Sequence, residues 1–324
     1  MAEKKGTDEE FIAAFRKHGT PTKVAQALGL AERNVYARRA RLEAKLGVKL
    51  PSFNSVQVQA KVQHHQGRID VAIDNGTGIV FSDAHFWPGF KTTANRALVA
   101  MIKQMQPQIV VCNGDAFDGA TISRFPRPFF DEGKPSVVNE LKACEERLGE
   151  ITDAARTSHC VWTLGNHDLR FEARLSSGNP EYQNVKGFHL KDHFPLWRPA
   201  WSLWINDDAE IRHRIRGGIH ATHNNVMANH CTTVTGHLHA LQVRPYTDGR
   251  GVIKYGVDTG CLADVDGPQF TDYLEGRTPA WRSGFVVLTW KNGTLLMPEL
   301  VQKFDEDHVQ FRGHVLHADT LDIQ

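Results

Sequence analysis

Residues 108–118 read QIVVCNGDAFD: a short β-rich run, Ile109-Val110-Val111, passes straight into Asn113-Gly114-Asp115. Three further segments follow the same pattern, an apolar strand ending in polar residues. They are GIVFSDAH at 78–85, HCVWTLGNHD at 159–168 and TTVTGHLH at 232–239. Helical stretches separate them. One spans Thr92–Met105 and stops before Pro107; another starts after Pro135 with Ser136 as its cap and places Val138, Leu141, Leu148 and Ile151 inward. Late strands surround a turn at Lys291-Asn292-Gly293. Alternating strands and helices predict a layered α/β domain with an active edge where strands end in polar residues.

Upstream, Val56, Val58, Ala60 and Val62 alternate, as do Ile69, Val71 and Ile73, which predicts a hairpin across QHHQG; Pro51–Ser55 reads as a linker. Residues 1–50 read as helices. Thr7 and Glu10 form a capping-box pattern, with Phe11, Ile12 and Phe15 on one face. Gly19 and Pro21 stop that helix, Thr22 caps KVAQALG, and ERNVYARRARLEAKL follows Leu30 with Val35, Leu42 and Leu46 inward. Two short helices about a Gly-containing turn fit a helix-turn-helix, with Arg33, Asn34, Arg38, Arg39 and Arg41 outward on its last helix. Asn and Arg read base edges and grip phosphates. The expected organisation is a nucleic-acid-binding domain at 1–50 and a catalytic domain at 51–324. Charge agrees: residues 1–50 carry 11 Lys/Arg against 6 Asp/Glu, a net of +5, leaving −4 on the rest of a chain of net +1. A solvated helical face or a small packing module is the alternative.

With 324 residues, 41% hydrophobic, the chain has ample core, which excludes wholesale disorder. No apolar run approaches the ~18–20 residues of a membrane span, and MAEKKGTDEE has no signal-like apolar region. Cys112, Cys144, Cys160, Cys231 and Cys261 are scattered and odd in number, as expected of reduced thiols in a cytoplasm. Seventeen histidines, clustered with Asp and Asn, suit a metal site.

The ordered blocks Asp83-Ala84-His85, Gly114-Asp115-Ala116-Phe117-Asp118, Gly165-Asn166-His167-Asp168 and Gly236-His237-Leu238-His239 resemble the calcineurin-like metallophosphoesterase superfamily, over roughly residues 77–300. GGIHATHNN, TGHLHA, YGVDTGCLAD and WRSGFVVLT look like its phage- or prophage-encoded members, which would place the protein in a host cytoplasm. The resemblance implies a metallophosphoesterase β-sandwich flanked by helices, with the small all-α helix-turn-helix-like head outside it.

It further implies two divalent metal ions. Asp83, His85 and His239 would bind the first and Asn166 and His237 the second, with Asp115 bridging. Alternation in GHxH is expected to send both imidazoles to one side of an extended segment. The remaining ligand is a lone histidine. His213, on the inward face of AEIRHRI, is the first choice, although Arg214 stands where the family has Gly; His220 and His223 stay open. His167 would not be a ligand but the general acid over the phosphate, oriented by Asp118. Mixed O/N ligands suit manganese, with iron, zinc and nickel as alternatives.

The implied reaction is hydrolysis of a phosphoester by a hydroxide held between the ions; the basic head adds the expectation of a phosphodiester substrate in nucleic acid (DNA before RNA), with a small cyclic nucleotide left open. The alternatives are a phosphomonoesterase or protein phosphatase, disfavoured because Gly119 and Asp168 replace that branch's Arg and Glu, and a DNA-binding regulator on a phosphoesterase scaffold. Trp197, Trp201 and Trp204 read as packing before base stacking, Arg170 and Arg174 as a helix face or a phosphate grip, and residues 123–128 as a loop near the second block.

Overall fold

The computed structural model describes residues 6–18, 20–46, 50, 67–124, 133–274 and 277–324. The chain divides into two compact units, Met1–His65 and Gln66–Gln324.

In the first unit, α1 (Asp8–His18), α2 (Pro21–Leu28) and α3 (Glu32–Leu46) enclose a core of Phe11, Phe15, Val24, Val35 and Leu42. The capping box is reciprocal: Thr7 N donates to Glu10 Oε2 at 2.8 Å, and Glu10 N to Thr7 Oγ1 at 3.2 Å. The cap of α2 is Thr20, not Thr22. Pro21 is the first helical residue, where its missing N–H costs no bond, and Thr22 instead donates to Glu32. Leu46, at the very end of α3, is 47% exposed rather than inward.

Two arginines also depart from expectation. Arg38 and Arg39 do not face outward. Arg38 lies 4.8 Å above the Phe11 ring and pairs with Asp8 at 2.8 Å; Arg39 lies 5.2 Å above Phe15 and pairs with Glu43 at 2.8 Å. They flank Val35 and Leu42 on the helix, so their stems cover the core and their charges meet local carboxylates. Arg33, Asn34 and Arg41 are exposed.

The second unit begins with β1 (Arg68–Val71), β2 (Gly76–Phe81), α4 (Thr93–Met105), β3 (Ile109–Cys112), α5 (Val137–Ala154), β4 (His159–Thr163), α6 (Leu169–Gly178) and α7 (Leu190–His193). Then come β5 (Arg198–Ala200), β6 (Ser202–Ile205), β7 (Ala209–Ile211), α8 (Ala221–Asn229), β8 (Thr232–Thr235), β9 (Gln242–Thr247), β10 (Ile253–Asp258) and α9 (Thr271–Leu274). It closes with β11 (Gly284–Lys291), β12 (Thr294–Leu295), β13 (Glu299–Lys303), β14 (His308–Phe311) and β15 (His314–His317).

Among the described residues there are two sheets, ordered β1-β6-β7-β8-β10-β9 and β15-β14-β13-β11-β2-β3-β4-β5, with β12 on β11. The neighbours β2, β3, β4 and β5 run parallel. Their pleat explains their apolar composition. Val80, Val111 and Val161 face the other sheet's Leu203, Ile211, Val234 and Val257, while Ile79, Phe81, Val110 and Cys112 face α4 and α5. Both faces are covered, so the strands are apolar throughout. Of the apolar positions expected inward on α5, Leu141, Leu148 and Ile151 are buried; Val138, in the first turn, is 59% exposed.

The Asn292-Gly293 turn joins β11 to β12 with φ of 49° and 72°. The first arm of the expected hairpin, Val56–Val62, lies outside the described residues, as does most of the loop at 123–128; β1 itself pairs in parallel with β6. Among the described residues no helix is long and apolar enough to cross a membrane.

Candidate metal centre

The polar blocks follow the carboxyl ends of β2, β3 and β4 in one sheet and β8 in the other, so the sheets deliver them to one edge of the sandwich. Backbone bonds zip the loops together. Asp83 N donates to Gly114 O at 2.9 Å, His85 N to Asp115 O at 3.0 Å and Gly236 N to His213 O at 2.9 Å. Glycine is required where backbone meets carboxylate. A β-carbon on Gly165 would collide with Asp115 Oδ1, and one on Gly236 with Asp83 Oδ2.

Candidate ligand atoms gather in groups, each within 4.8 Å: Asp83, His85 and His239; Asp115, His213 and His237; and His85, Asp115 and His167. Asp83 Oδ1 lies 3.0 Å from His239 Nε2, and Asp115 Oδ2 3.1 Å from His213 Nε2. His213 Nδ1 donates to Asn113 O at 2.7 Å, which fixes the tautomer and leaves Nε2 as the donor atom toward a metal. His220 is the exposed residue before α8, and His223 packs on Tyr246. Of the three histidines left open by sequence, His213 is the one inside the cluster.

GHxH is not extended. β8 stops at Thr235, and His237 and His239 both adopt left-handed backbone, φ 72° and 57°. The imidazoles therefore separate, His237 toward His213 and His239 toward Asp83, instead of lining one side of a strand. Asp83, His85 and Asp115 are also left-handed, with φ of 51°, 40° and 53°. Such backbone in non-glycine residues costs roughly 1–3 kcal/mol each and persists only where surroundings enforce it, as functional sites do.

A divalent cation fits these residues. Three buried atoms, Asn166 Oδ1, His213 Nε2 and His239 Nδ1, have no hydrogen-bond partner. His213 Nε2 is within ion-pair distance of Asp115 but not aligned for a hydrogen bond. Buried nitrogen and oxygen acceptors left unpaired are costly unless something else binds them, and this donor set is that of a first-row metal. Burial pushes the Asp115 carboxyl up, but the His213 and His167 imidazoles outweigh it and hold its pKa well below the usual range. The neighbouring imidazoles thus favour the ionised form of Asp115.

His167 is arranged differently. Its Nδ1 lies 2.8 Å from Asp118 Oδ1, and its Nε2 3.1 Å from the Arg170 guanidinium. A cation against Nε2 disfavours a metal there. Burial pulls the imidazole down, but the Asp115 and Asp118 carboxylates prevail and its pKa is raised. Arg170 also donates to Asp118 O at 2.9 Å, so it belongs to the site; Arg174 is exposed on α6.

Sequence reasoning missed Asp168. Its buried carboxylate accepts from Gly165 N and Asp115 N at 2.8 Å, Trp162 Nε1 at 3.0 Å, and Ala116 N and Phe117 N at 3.1 Å. One side chain ties the second block to the third. Trp197 is buried and bonded to Thr152, Trp204 lies beneath Arg68, and Trp201 covers Gly67; none stands at the cluster. The cysteines are free.

A family model, calcineurin-like phosphoesterase, matches residues 79–317, a span that contains every member of this cluster. The chain belongs to the calcineurin-like phosphoesterase family. Its members are metal-dependent phosphoester hydrolases. Two curated relatives come from phages: the gene 54 proteins of Mycobacterium phage L5 and Mycobacterium phage D29 are each 27% identical, over 64% of this chain and 86% of their own. Among solved structures, Yfce, a phosphoesterase from E. coli, aligns at 16% identity and a TM-score of 0.34, covering 76% of this chain and 96% of its own.

Proposed function

We propose that this protein is a two-metal phosphodiesterase acting on nucleic acid, with manganese as its cation. The observation that carries the two-metal reading is the pair of ligand triads, Asp83–His85–His239 and Asp115–His213–His237. Asp83, His85 and His239 would hold one cation. His213, His237 and Asn166 would hold the other, with Asp115 offering an oxygen to each. Bound cations supply charge that polarises the phosphoryl oxygens and acidifies a water.

The chain's own groups do the rest. Asp118 holds the Nδ1 proton of His167, so Nε2 is the atom that gives a proton to the departing alcohol oxygen. Arg170, beside Nε2, turns its guanidinium to a phosphate oxygen when substrate enters. The buried cluster keeps these charges in a low-dielectric setting, where each counts for more than in water.

For nucleic acid, the support is the basic first unit with Arg33, Asn34 and Arg41 exposed on α3. A module that holds polyanion raises the concentration of phosphodiesters near the catalytic unit. Purified protein with Mn²⁺ is expected to cleave bis-p-nitrophenyl phosphate faster than p-nitrophenyl phosphate. It is also expected to cut at least one of plasmid, linear or single-stranded DNA. The reverse preference would make it a phosphomonoesterase, and no turnover of either ester would leave a binding protein.

A further inference from the structure

Two aromatic residues that the reaction does not use stand against one half of the metal cluster. Phe270 is buried, its ring 5.2 Å from His85 and 5.4 Å from His239. The Trp281 ring lies 4.4 Å from His239 and 5.1 Å from Phe270, inclined to both by about 65°. Trp281 is half-buried beside the candidate ligand it touches.

The segment carrying it is fixed to the site. Arg282 N donates to His239 O at 2.8 Å, Cys261 N to Arg282 O at 3.1 Å, and Ser283 pairs with Cys261 in a β-bridge. Trp281 is therefore held by the backbone of the GHxH turn itself. Arg282 is exposed, with its Nη1 bonded to Trp281 O. A rigid indole next to a phosphate-binding centre, with a guanidinium one residue away, is the equipment for a planar group esterified to that phosphate.

We propose that Trp281, backed by Phe270, stacks the nucleobase adjoining the scissile phosphodiester, on the Asp83–His85–His239 side of the site. The inference rests on the phosphodiesterase reading and adds what the enzyme recognises beyond the phosphate. A nucleobase suits an indole at the rim of a phosphate site because every base has a π-face, so stacking grips nucleotides without demanding a sequence. A phosphotyrosyl peptide is the competing occupant.

The test compares thymidine 5′-(p-nitrophenyl phosphate) with methyl p-nitrophenyl phosphate, diesters that share a leaving group and differ only in the nucleoside. Trp281→Leu is expected to lower the ratio of their kcat/KM values by roughly tenfold, mostly through KM, and Trp281→Phe to restore most of it. Oligothymidylate added in EDTA gives a second readout. All seven tryptophans follow residue 65, so quenching of their fluorescence reports on the catalytic unit alone, and Trp281→Leu is expected to remove much of it. An unchanged ratio with unchanged quenching overturns the inference while leaving phosphodiesterase activity standing. A wild type that prefers phosphotyrosine to either diester overturns the phosphodiesterase reading itself.

Discussion

His85 and His167 stand edge to face, ring centroids 4.6 Å apart, because the Nδ1 atoms of both lie 2.8 Å from the same oxygen of Asp118. One carboxylate thus orients a candidate metal ligand and the candidate proton donor. His167→Ala should lower diester turnover about 10²- to 10⁴-fold while bound metal, measured by mass spectrometry after desalting, stays at the wild-type level. Asp118→Ala should lower both, because His85 loses the partner that sets its tautomer. Metal loss in His167→Ala would make that residue a ligand.

Asp168 accepts from five N–H groups, and an amide cannot replace it, since one of its two arms would present donors to donors. Asp168→Asn should cost about 2–4 kcal/mol in urea unfolding and reduce metal affinity, through the loop that carries Asp115.

Glu140 predicts a pH effect away from the metal ligands. Burial, with the nearby Asp118 charge, pushes its pKa from the ordinary 4.5 to about 7, although Gly119 N and Ala120 N donate to it. A carboxyl that keeps its proton longer in the folded state adds stability that is complete below pH 4.5 and lost as pH rises through 7. The loss amounts to about 3 kcal/mol. The difference in unfolding free energy between wild type and Glu140→Gln should change across that window and be level outside it. A constant difference would show that Glu140 is already ionised at pH 5.

The first unit has its own core, so the catalytic unit should survive its removal. Deleting residues 1–65 should weaken DNA binding and flatten its salt dependence, by about 0.9 in the log–log slope for each phosphate no longer neutralised. Turnover of bis-p-nitrophenyl phosphate should persist. Arg33→Ala with Arg41→Ala should reproduce part of the binding loss; Arg39→Ala should instead destabilise the unit, since Arg39 covers Phe15.

Much of the catalytic unit is legible in the sequence because its signals are local. Apolar runs that end in Asp, Asn or His name both the strand and its candidate functional end, and Ser136 caps α5 as the sequence predicts. What escapes depends on tertiary structure. Nothing in the sequence near Arg38 shows that Phe11 and Asp8 will draw it inward, nor that Asp168 will collect donors from both its own segment and the second block. The GHxH turn defeats the expected alternation because alternation presumes an extended chain, whereas here the backbone turns left-handed at His237, whose N–H donates to Asp83 Oδ2 at 2.8 Å.

That twist bears on how variants of this protein should be read. At His237, with φ of 72°, an alanine substitution deletes the imidazole but keeps the awkward torsion, whereas glycine deletes both. The glycine variant should melt above the alanine variant, by about 1 kcal/mol at the midpoint, although both are equally unable to chelate. Chelation and conformational ease would pull against each other at this edge of the sandwich, so selection for thermostability alone would erode the candidate metal ligands first.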